Sequence, residues 1–471
     1  MLAGNLTPIL HVEACLLPTS TARYDHVRNH VEAFLREFHP SVVLHTCVPR
    51  DELADVPFLW ENVEFVKICE VRGAADSSDV HPLADTVLSV HVFQLNEEEG
   101  VDQVGDEEDV VASNHWVLPA RGLQGVWDSL IYDDNIQLQL LDYVYTSMLF
   151  GDRGVDPNII SVNRVALLHG PPGTGKTSLC RALAQKLAIR LADRYSFGKL
   201  VEINSHSLFS KFFSESGKLV MRMFQQIHQL LDDHDVFVCV LIDEVESLSA
   251  ARKAALSGME PSDAIRVVNA LLTQLDQLRR RKNVLVMTTS NITEAIDIAF
   301  IDRADIKQYI GPPTQRARYA ILSTCLSELV SKGLIPKSET PLIDYREIEI
   351  WTSDNTGNNK SSAMLSDMCC SESPGDEQQH MREEESLMLW KVAGDCEGFS
   401  GRSLRKLPFL AHAFHLNASV VSMSDYILAL ERTVRSEKAS RVLLSDVKSS
   451  TTTTKGASIG NDLASASSPL H

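Results

Sequence analysis

The segment RVALLHGPPGTGKTSLCRAL, residues 164–183, restricts the fold of this chain more than any other stretch. Four apolar residues, Val165 to Leu168, read as a strand buried on both faces; Gly170, Pro171, Pro172, Gly173, Thr174, Gly175, Lys176, Thr177 and Ser178 follow, and then a leucine-spaced helix. Gly173 and Gly175 let backbone N–H groups close around a phosphate, and the positive end of the following helix faces it. Lys176 supplies a cation between β- and γ-phosphates, and the Thr177 hydroxyl suits Mg²⁺, which prefers hard oxygen. A chance glycine-rich turn explains neither the strand before it nor the helix after it. The segment therefore predicts a nucleoside-triphosphate site on a parallel α/β sheet.

Two later strands carry chemistry at their ends. Residues 236–242 are apolar and deliver Asp243 and Glu244 to a strand tip, where Asp243 can hold the Mg²⁺ water shell and Glu244 can polarise an attacking water. Residues 284–289 end in Ser290 and Asn291, and an amide at that tip can orient the same water or touch the γ-phosphate. Twelve residues on, Arg303 lies before a fifth strand, 306–310. At that rim it points away from its own nucleotide, and its use is to reach a neighbouring subunit's γ-phosphate; the alternative is a surface ion pair with Asp302 or Asp305.

At 471 residues with 44 % hydrophobic content, the chain is long enough for two to four domains with their own cores. Its nine cysteines show no CxxC pair or metal-ligand spacing, which suits a reduced, intracellular protein. No basic region precedes the short apolar N-terminal segment and no run approaches a membrane span, so neither export nor insertion is expected. A net charge of −19 disfavours non-specific adhesion to nucleic-acid phosphates and points to protein partners.

Residues 1–95 read as a small α+β domain: strands over 9–17, 42–48, 63–71 and 87–95, and one helix face marked by Val27, Val31, Phe34, Leu35 and Phe38. His26, His30 and His39 fall near that helix without a carboxylate or cysteine in step, which favours ordinary packed or solvated histidines over a metal site. By elimination the domain is assigned to partner binding. Residues 96–114, with eight acidic residues and two glycines, read as an acidic flexible linker. Trp127 and its neighbours either wall an adenine pocket or anchor the linker. Lys211, Phe212 and Phe213 lie on a loop, an unusual place for adjacent aromatic residues. The ATPase-like subdomain is set at 115–312 and a helical lid at 313–446, interrupted by a disordered insertion over 352–385. Arg402 opens a lid helix, and 447–471 is a disordered Ser/Thr-rich tail.

The phosphate loop, the Asp243–Glu244 tip, Asn291, Arg303 and Arg402, in that order, resemble the AAA+ ATPases over about 115–446. Longer strings, among them HWVLP, EINSHSLFSKFFSESGKL, LIDEVESL, EPSDAIRVVNALLTQLDQL and GFSGRSLRKLPFLAHA, resemble the pachytene checkpoint protein 2 family, as do FLREFHP and VHVFQLNEEE nearer the start. The resemblance implies a P-loop AAA+ core with a five-stranded parallel sheet, a helical lid and an N-terminal adaptor-binding domain. It further implies a homohexamer using ATP and Mg²⁺ to convert closed HORMA-domain proteins to open ones, with a HORMA adaptor. That work belongs to the spindle checkpoint and meiotic chromosome axes, in nucleus and cytoplasm, with no direct nucleic-acid or membrane contact.

Carried over by residue, the resemblance makes Glu244, Asn291, Arg303 and Arg402 catalytic, with Asn291 and Arg402 as sensors and Arg303 as a trans arginine finger. Gly170 to Ser178 and Asp243 bind nucleotide, Thr177 and Asp243 hold the metal, and Lys211, Phe212 and Phe213 form the substrate-gripping pore loop. Animal members carry Trp where Phe212 stands, and the length of 352–385 suits a plant-type member. Two rivals remain: a nucleic-acid motor or clamp loader, which calls for a basic face, and a scaffold that binds nucleotide without hydrolysing it.

Overall fold

The structure, a computed structural model, describes residues 8–73, 80–84, 86–98, 100–104, 111–205, 216–247, 263–292, 296–337, 342–348 and 374–453. Lys211, Phe212, Phe213 and residues 352–373 and 454–471 lie outside these. The chain divides into two compact units, Met1–Gly311 and Pro312–His471.

The first unit opens with β1 (Ile9–Leu16), α1 (Tyr24–Phe38), β2 (Ser41–Val43), β3 (Cys47–Val48), α2 (Pro57–Asn62), β4 (Val63–Arg72), β5 (Val80–Pro82) and β6 (Val87–Gln94). Four of the strands form a sheet ordered β3-β4-β1-β6, and β2 pairs with β5. Side chains alternate across a strand, so Leu10, Val12, Ala14 and Leu16 face one way, into a core completed by Val27, Val31, Phe34 and Leu35 of α1. Phe38, expected on that helix face, is exposed at the last turn.

The ATPase subdomain adds β7 (Val101–Val104), β8 (Val111–Leu118), α3 (Val126–Ser129), α4 (Ile136–Asp152), β9 (Val165–His169), α5 (Lys176–Arg190), β10 (Phe197–Asn204) and α6 (Ser216–Leu231). After these come β11 (Val236–Asp243), α7 (Asp263–Leu278), β12 (Val284–Ser290), α8 (Ile298–Arg303) and β13 (Ile306–Tyr309). Its sheet runs β13-β9-β12-β11-β10-β8-β7. The first five are parallel, as expected, while β8 and β7 extend the sheet antiparallel. Both faces are covered, so β11 is apolar on both sides: Val238, Val240 and Ile242 pack toward α6 and α7, and Phe237, Cys239 and Leu241 toward α4 and α5.

This extension corrects the boundary drawn at 96–114. The acidic count hides Val101, Val104 and Val111, whose segments find ladder partners on β8 and β10, so 101–104 and 111–114 belong to the sheet.

The second unit contains α9 (Gln315–Ser331), α10 (Pro374–Asp395), α11 (Gly401–His415) and α12 (Met423–Thr453). Here 374–385 and 447–453 prove helical where disorder was expected. A Glu/Gln-rich stretch has good intrinsic helix propensity and runs on into a packed segment carrying Leu389, Val392 and Ala393, and propagation of a formed helix is cheap. Ser386, fully buried, bonds the Arg382 carbonyl and accepts the Ile343 N–H at 3.1 Å, which fixes α10 against the preceding segment. No described helix is long and apolar enough to cross a membrane.

Within the first unit, α5 is buried nearly all round, Lys186 and Arg190 included. Those two cations meet the second face of the N-terminal sheet. His11 and Glu13 on β1 and His91 on β6 alternate away from the domain's own core, and a bulge in β4 between Ile68 and Val71 brings Glu70 to the same place. Lys186 Nζ lies 2.6 Å and Arg190 Nε 3.0 Å from Glu13, and Arg190 Nη2 donates to both Glu70 carboxylate oxygens at 3.0 Å. Cys15, Phe93 and Leu95 close around Ile189 beside them. Arg28–Asp193, Arg72–Asp142 and Arg121–Glu64 pairs ring the contact.

Burial pushes the Glu13 carboxyl up, but Lys186 and Arg190 overrule it and bring it from 4.5 down to about 2. His11, 3.0 Å from His91, is lowered to about 4 by burial and by Arg190. Because Glu13 titrates lower folded than unfolded, its stabilisation is complete above about pH 4.5 and is lost as pH falls toward 2. Glu13→Ala takes the carboxylate from buried Lys186 and leaves Arg190 with Glu70 alone, and is expected to cost about 3–5 kcal/mol at neutral pH. Urea midpoints measured from pH 7 to 3 should show the wild-type advantage shrinking on acidification; a difference independent of pH would refute the ionic account of this contact.

Candidate active site

The phosphate loop joins β9 to α5, and its glycines are required at two points. Gly170 has φ of +143°, and a Cβ there would stand 2.1 Å from the Ile310 carbonyl oxygen, so only glycine lets the loop leave β9 beside the end of β13. Gly175, at φ +94°, caps α5, and a Cβ on it would press against Tyr132 Oη at 3.0 Å and Leu130 Cδ2 at 3.1 Å. Lys176, buried, donates from Nζ to the carbonyls of Gly170 and Pro171, both at 2.8 Å, and Thr174 Oγ1 donates to the Pro171 carbonyl at 3.0 Å.

The upstream residues pack in two places. Leu130 and Tyr132 stand against the loop at Gly175, with Tyr132 Oη donating to the Gly175 carbonyl at 3.5 Å. Trp127 instead packs on the α4–α5 core, with Lys186 Nζ 5.7 Å from its ring centre.

Parallel order brings the ends of β9, β11 and β12 side by side, although 66 residues separate Thr177 from Asp243. Thr177 Oγ1 donates to the Asp243 carboxylate at 3.0 and 3.2 Å. Thr289 Oγ1 makes a short hydrogen bond to the same carboxylate and accepts the Glu244 N–H at 3.2 Å, while its carbonyl accepts the Val245 N–H at 3.0 Å. Ser205, fully buried at the end of β10, donates to the Asp243 carbonyl at 2.6 Å. Glu244 sits at φ +60°, an uncommon conformation for a residue with a Cβ, and these neighbours hold it there. The Asn291 amide reaches Glu244 Oε1 at 3.4 Å.

Lys176, Thr177, Asp243, Glu244 and Asn291 are therefore gathered in one place, as the sequence anticipates. Thr289, Ser205 and Glu246 join them unannounced. Thr289 is the next-to-last residue of β12, and only the observation that β12 lies next to β11 separates its hydroxyl from that of any other strand threonine.

Arg303 stands apart. It is half-buried and its guanidinium forks onto Asp276 of α7, Nε to Oδ1 and Nη2 to Oδ2 both at 2.8 Å, with Nη1 on the Ala299 carbonyl at 2.9 Å. The surface ion pair offered as the alternative reading is thus made with Asp276 rather than with Asp302 or Asp305. Asp305 is instead occupied by the Asn163 and Arg164 N–H groups and by Tyr143 Oη. Arg402 belongs to the C-terminal unit, exposed in the first turn of α11, whose Ser400 cap accepts the Ser403 N–H at 3.3 Å.

His26, His30 and His39 make ordinary contacts. His30 Nδ1 lies 2.7 Å from the His26 carbonyl, and its ring lies 4.3 Å from that of Phe58; His39 faces Glu52 at 3.4 Å. Among the described residues no three His, Cys, Asp or Glu side chains gather as a metal site.

Residues 5–98 match the TRIP13 N-terminal domain, 166–312 the ATPase family associated with various cellular activities (AAA), and 314–438 the TRIP13-like, AAA+ ATPase lid C-terminal domain. The chain is 48 % identical over 434 residues to the pachytene checkpoint protein 2 homolog of Rattus norvegicus, covering 91 % of this chain and 93 % of that protein. It is 48 % identical over 431 residues to the homolog of Homo sapiens, with the same two coverages. The solved structure of C. elegans PCH-2 superposes with a TM-score of 0.67 at 32 % identity, over 91 % of this chain and 99 % of that one. A phosphate loop, a nucleotide-binding parallel sheet, a helical lid and an N-terminal domain that all match one group of proteins along nearly their full length place this chain in the pachytene checkpoint protein 2 family of AAA ATPases.

Proposed function

We propose that this ATPase is a homohexameric remodeller of HORMA-domain proteins, working with a HORMA adaptor on meiotic chromosome axes and in the spindle checkpoint, in nucleus and cytoplasm. Membership of the family supports the client class, and the N-terminal domain is the natural seat for the adaptor. Lys211, Phe212 and Phe213, outside the described residues, are proposed to grip the client. Arg303 is proposed to reach a neighbour's nucleotide, exchanging its bond to Asp276 for phosphate oxygens.

One observation carries the hydrolytic reading: Thr177, Asp243, Thr289, Glu244 and Asn291 form a continuous hydrogen-bonded chain at the carboxyl ends of adjacent parallel strands. ATP is the substrate that suits it. The loop N–H groups and Lys176 bind the β- and γ-phosphates, and the helix N-terminus favours their charge. The donor set fits Mg²⁺, since a hydroxyl and a carboxylate already in contact are both hard oxygens; bound there, the ion would neutralise phosphate charge. Glu244 takes the proton of the attacking water, while Asn291, bonded to Glu244, sets the direction in which that water points.

Glu244→Gln is expected to keep ATP binding and nucleotide-dependent rings while turnover falls at least about 100-fold, the scale of a lost general base. With ATP present, this variant should also retain HORMA-domain clients in a pull-down. Normal turnover would remove Glu244 from its role, and retention of other proteins alone would overturn the client class.

Thr289→Val keeps the shape of the side chain but deletes the hydroxyl that joins Asp243 to the Glu244 N–H. The expected result is a fall of about 10- to 100-fold in kcat with nucleotide affinity within about threefold of wild type. Steady-state kinetics and fluorescent-nucleotide titration measure both.

A further inference from the structure

Two residues beyond Glu244, in the segment that follows β11, Glu246 reaches across to the neighbouring strand tip. Its Oε1 accepts the backbone N–H of Asn291 at 3.0 Å. Its Oε2 is buried and has no hydrogen-bond partner among the described residues. A buried carboxylate oxygen left unmatched is costly, and a neutral side chain would hold the same N–H at less expense in desolvation.

The Asn291 amide meets Glu244 Oε1 at 3.4 Å, at the long end of hydrogen-bond distance. A small drift of the Asn291 backbone would break that contact. Asn291 follows the last residue of β12, so the sheet ladder does not hold it; the nearby Ile292 N–H turns back to Ser290 Oγ at 3.3 Å. The Glu246 bond to the Asn291 N–H therefore ties the tip of β12 to the segment that bears Glu244.

We propose that Glu246 is a positioning residue for hydrolysis: by holding the Asn291 backbone it keeps the Asn291 amide on Glu244, and it acts on the bond-breaking step rather than on nucleotide binding. The inference rests on the reading of Glu244 and Asn291 as the groups that handle water.

Four variants test it in the full-length protein: Glu246→Ala, Glu246→Asp, Glu246→Gln and Asn291→Ala. Glu246→Ala is expected to lower kcat at least about 10-fold with KM for ATP within about twofold. Glu246→Asp keeps the charge but loses a methylene of reach and should fall equally. Glu246→Gln keeps an oxygen at the same reach and should return kcat to within about threefold of wild type. In the Asn291→Ala background, adding Glu246→Ala should cost less than about twofold more, since the two act in series.

Several results would overturn the proposal: Glu246→Ala turning over within twofold of wild type, KM rising in step with the loss of kcat, Glu246→Asp behaving as wild type, no recovery with Gln, or full additivity with Asn291→Ala. Should Glu246→Ala fail to fold, the Asp and Gln pair still decides between reach and charge. A Glu244→Gln variant run alongside separates the two readings. If it retains activity, the role of Glu244 fails; if it is inactive while Glu246→Ala is not, only the present inference fails.

Discussion

One helix, Lys176–Arg190, is gripped by charge at both ends, and the first unit is arranged around that grip. At its start Lys176 lies in the phosphate loop; at its end Lys186 and Arg190 are locked between Glu13 and Glu70 of the N-terminal sheet. Taking four charges out of water is expensive, and the cost is offset only when geometry is close to ideal and every charge has a partner. Contacts of 2.6–3.0 Å give each of the four charges a partner, while Arg190 Nη1 is buried without a hydrogen-bond partner among the described residues. The N-terminal domain and the nucleotide site therefore share a single rigid element of 15 residues, roughly 22 Å from end to end. A displacement of the domain cannot leave the helix behind without stranding buried cations.

The sheet supplies the other half of the arrangement. Because its five central strands run parallel, their carboxyl ends lie along one edge, and β9 lies between β12 and β13 with β11 one strand further on. Three residue pairs then brace that edge: Thr177 with Asp243, Thr289 with Glu244, and Glu246 with Asn291. Each brace is a hydrogen bond at that edge between residues far apart in sequence, and together they hold Glu244 in a backbone conformation it would not adopt alone. Backbone strain is tolerated where the surroundings over-determine it.

Much of this was legible beforehand for a simple reason: strongly periodic apolar runs and glycine punctuation are local signals. The five parallel strands, the phosphate loop and the Asp243–Glu244 tip all announce themselves within short windows. The misread segments share the opposite property. Residues 101–104 and 111–114 are acidic in composition and become strands only because β8 and β10 offer ladder partners. Residues 374–385 look like a polar insertion, yet they are the first turns of a helix whose later turns are buried. Neither the neighbouring-subunit reading of Arg303 nor its alternative pairing with Asp302 or Asp305 points to the carboxylate that holds it, which is on another helix, 27 positions away.

By itself the sequence determined which chemistry this chain can perform and the layered parallel fold that performs it, because glycine conformations, apolar periodicity and the reach of Lys176 and Thr177 depend on near neighbours. Only the tertiary structure decided which polar groups act together. Thr289, Glu246, Asp276 and the Glu13–Arg190 contact are ordinary residues until β11 meets β12, α7 meets α8, and the N-terminal sheet meets α5. Hydrogen bonds and ion pairs act over about 3 Å, and a chain places two distant residues that close only after its apolar faces have been buried.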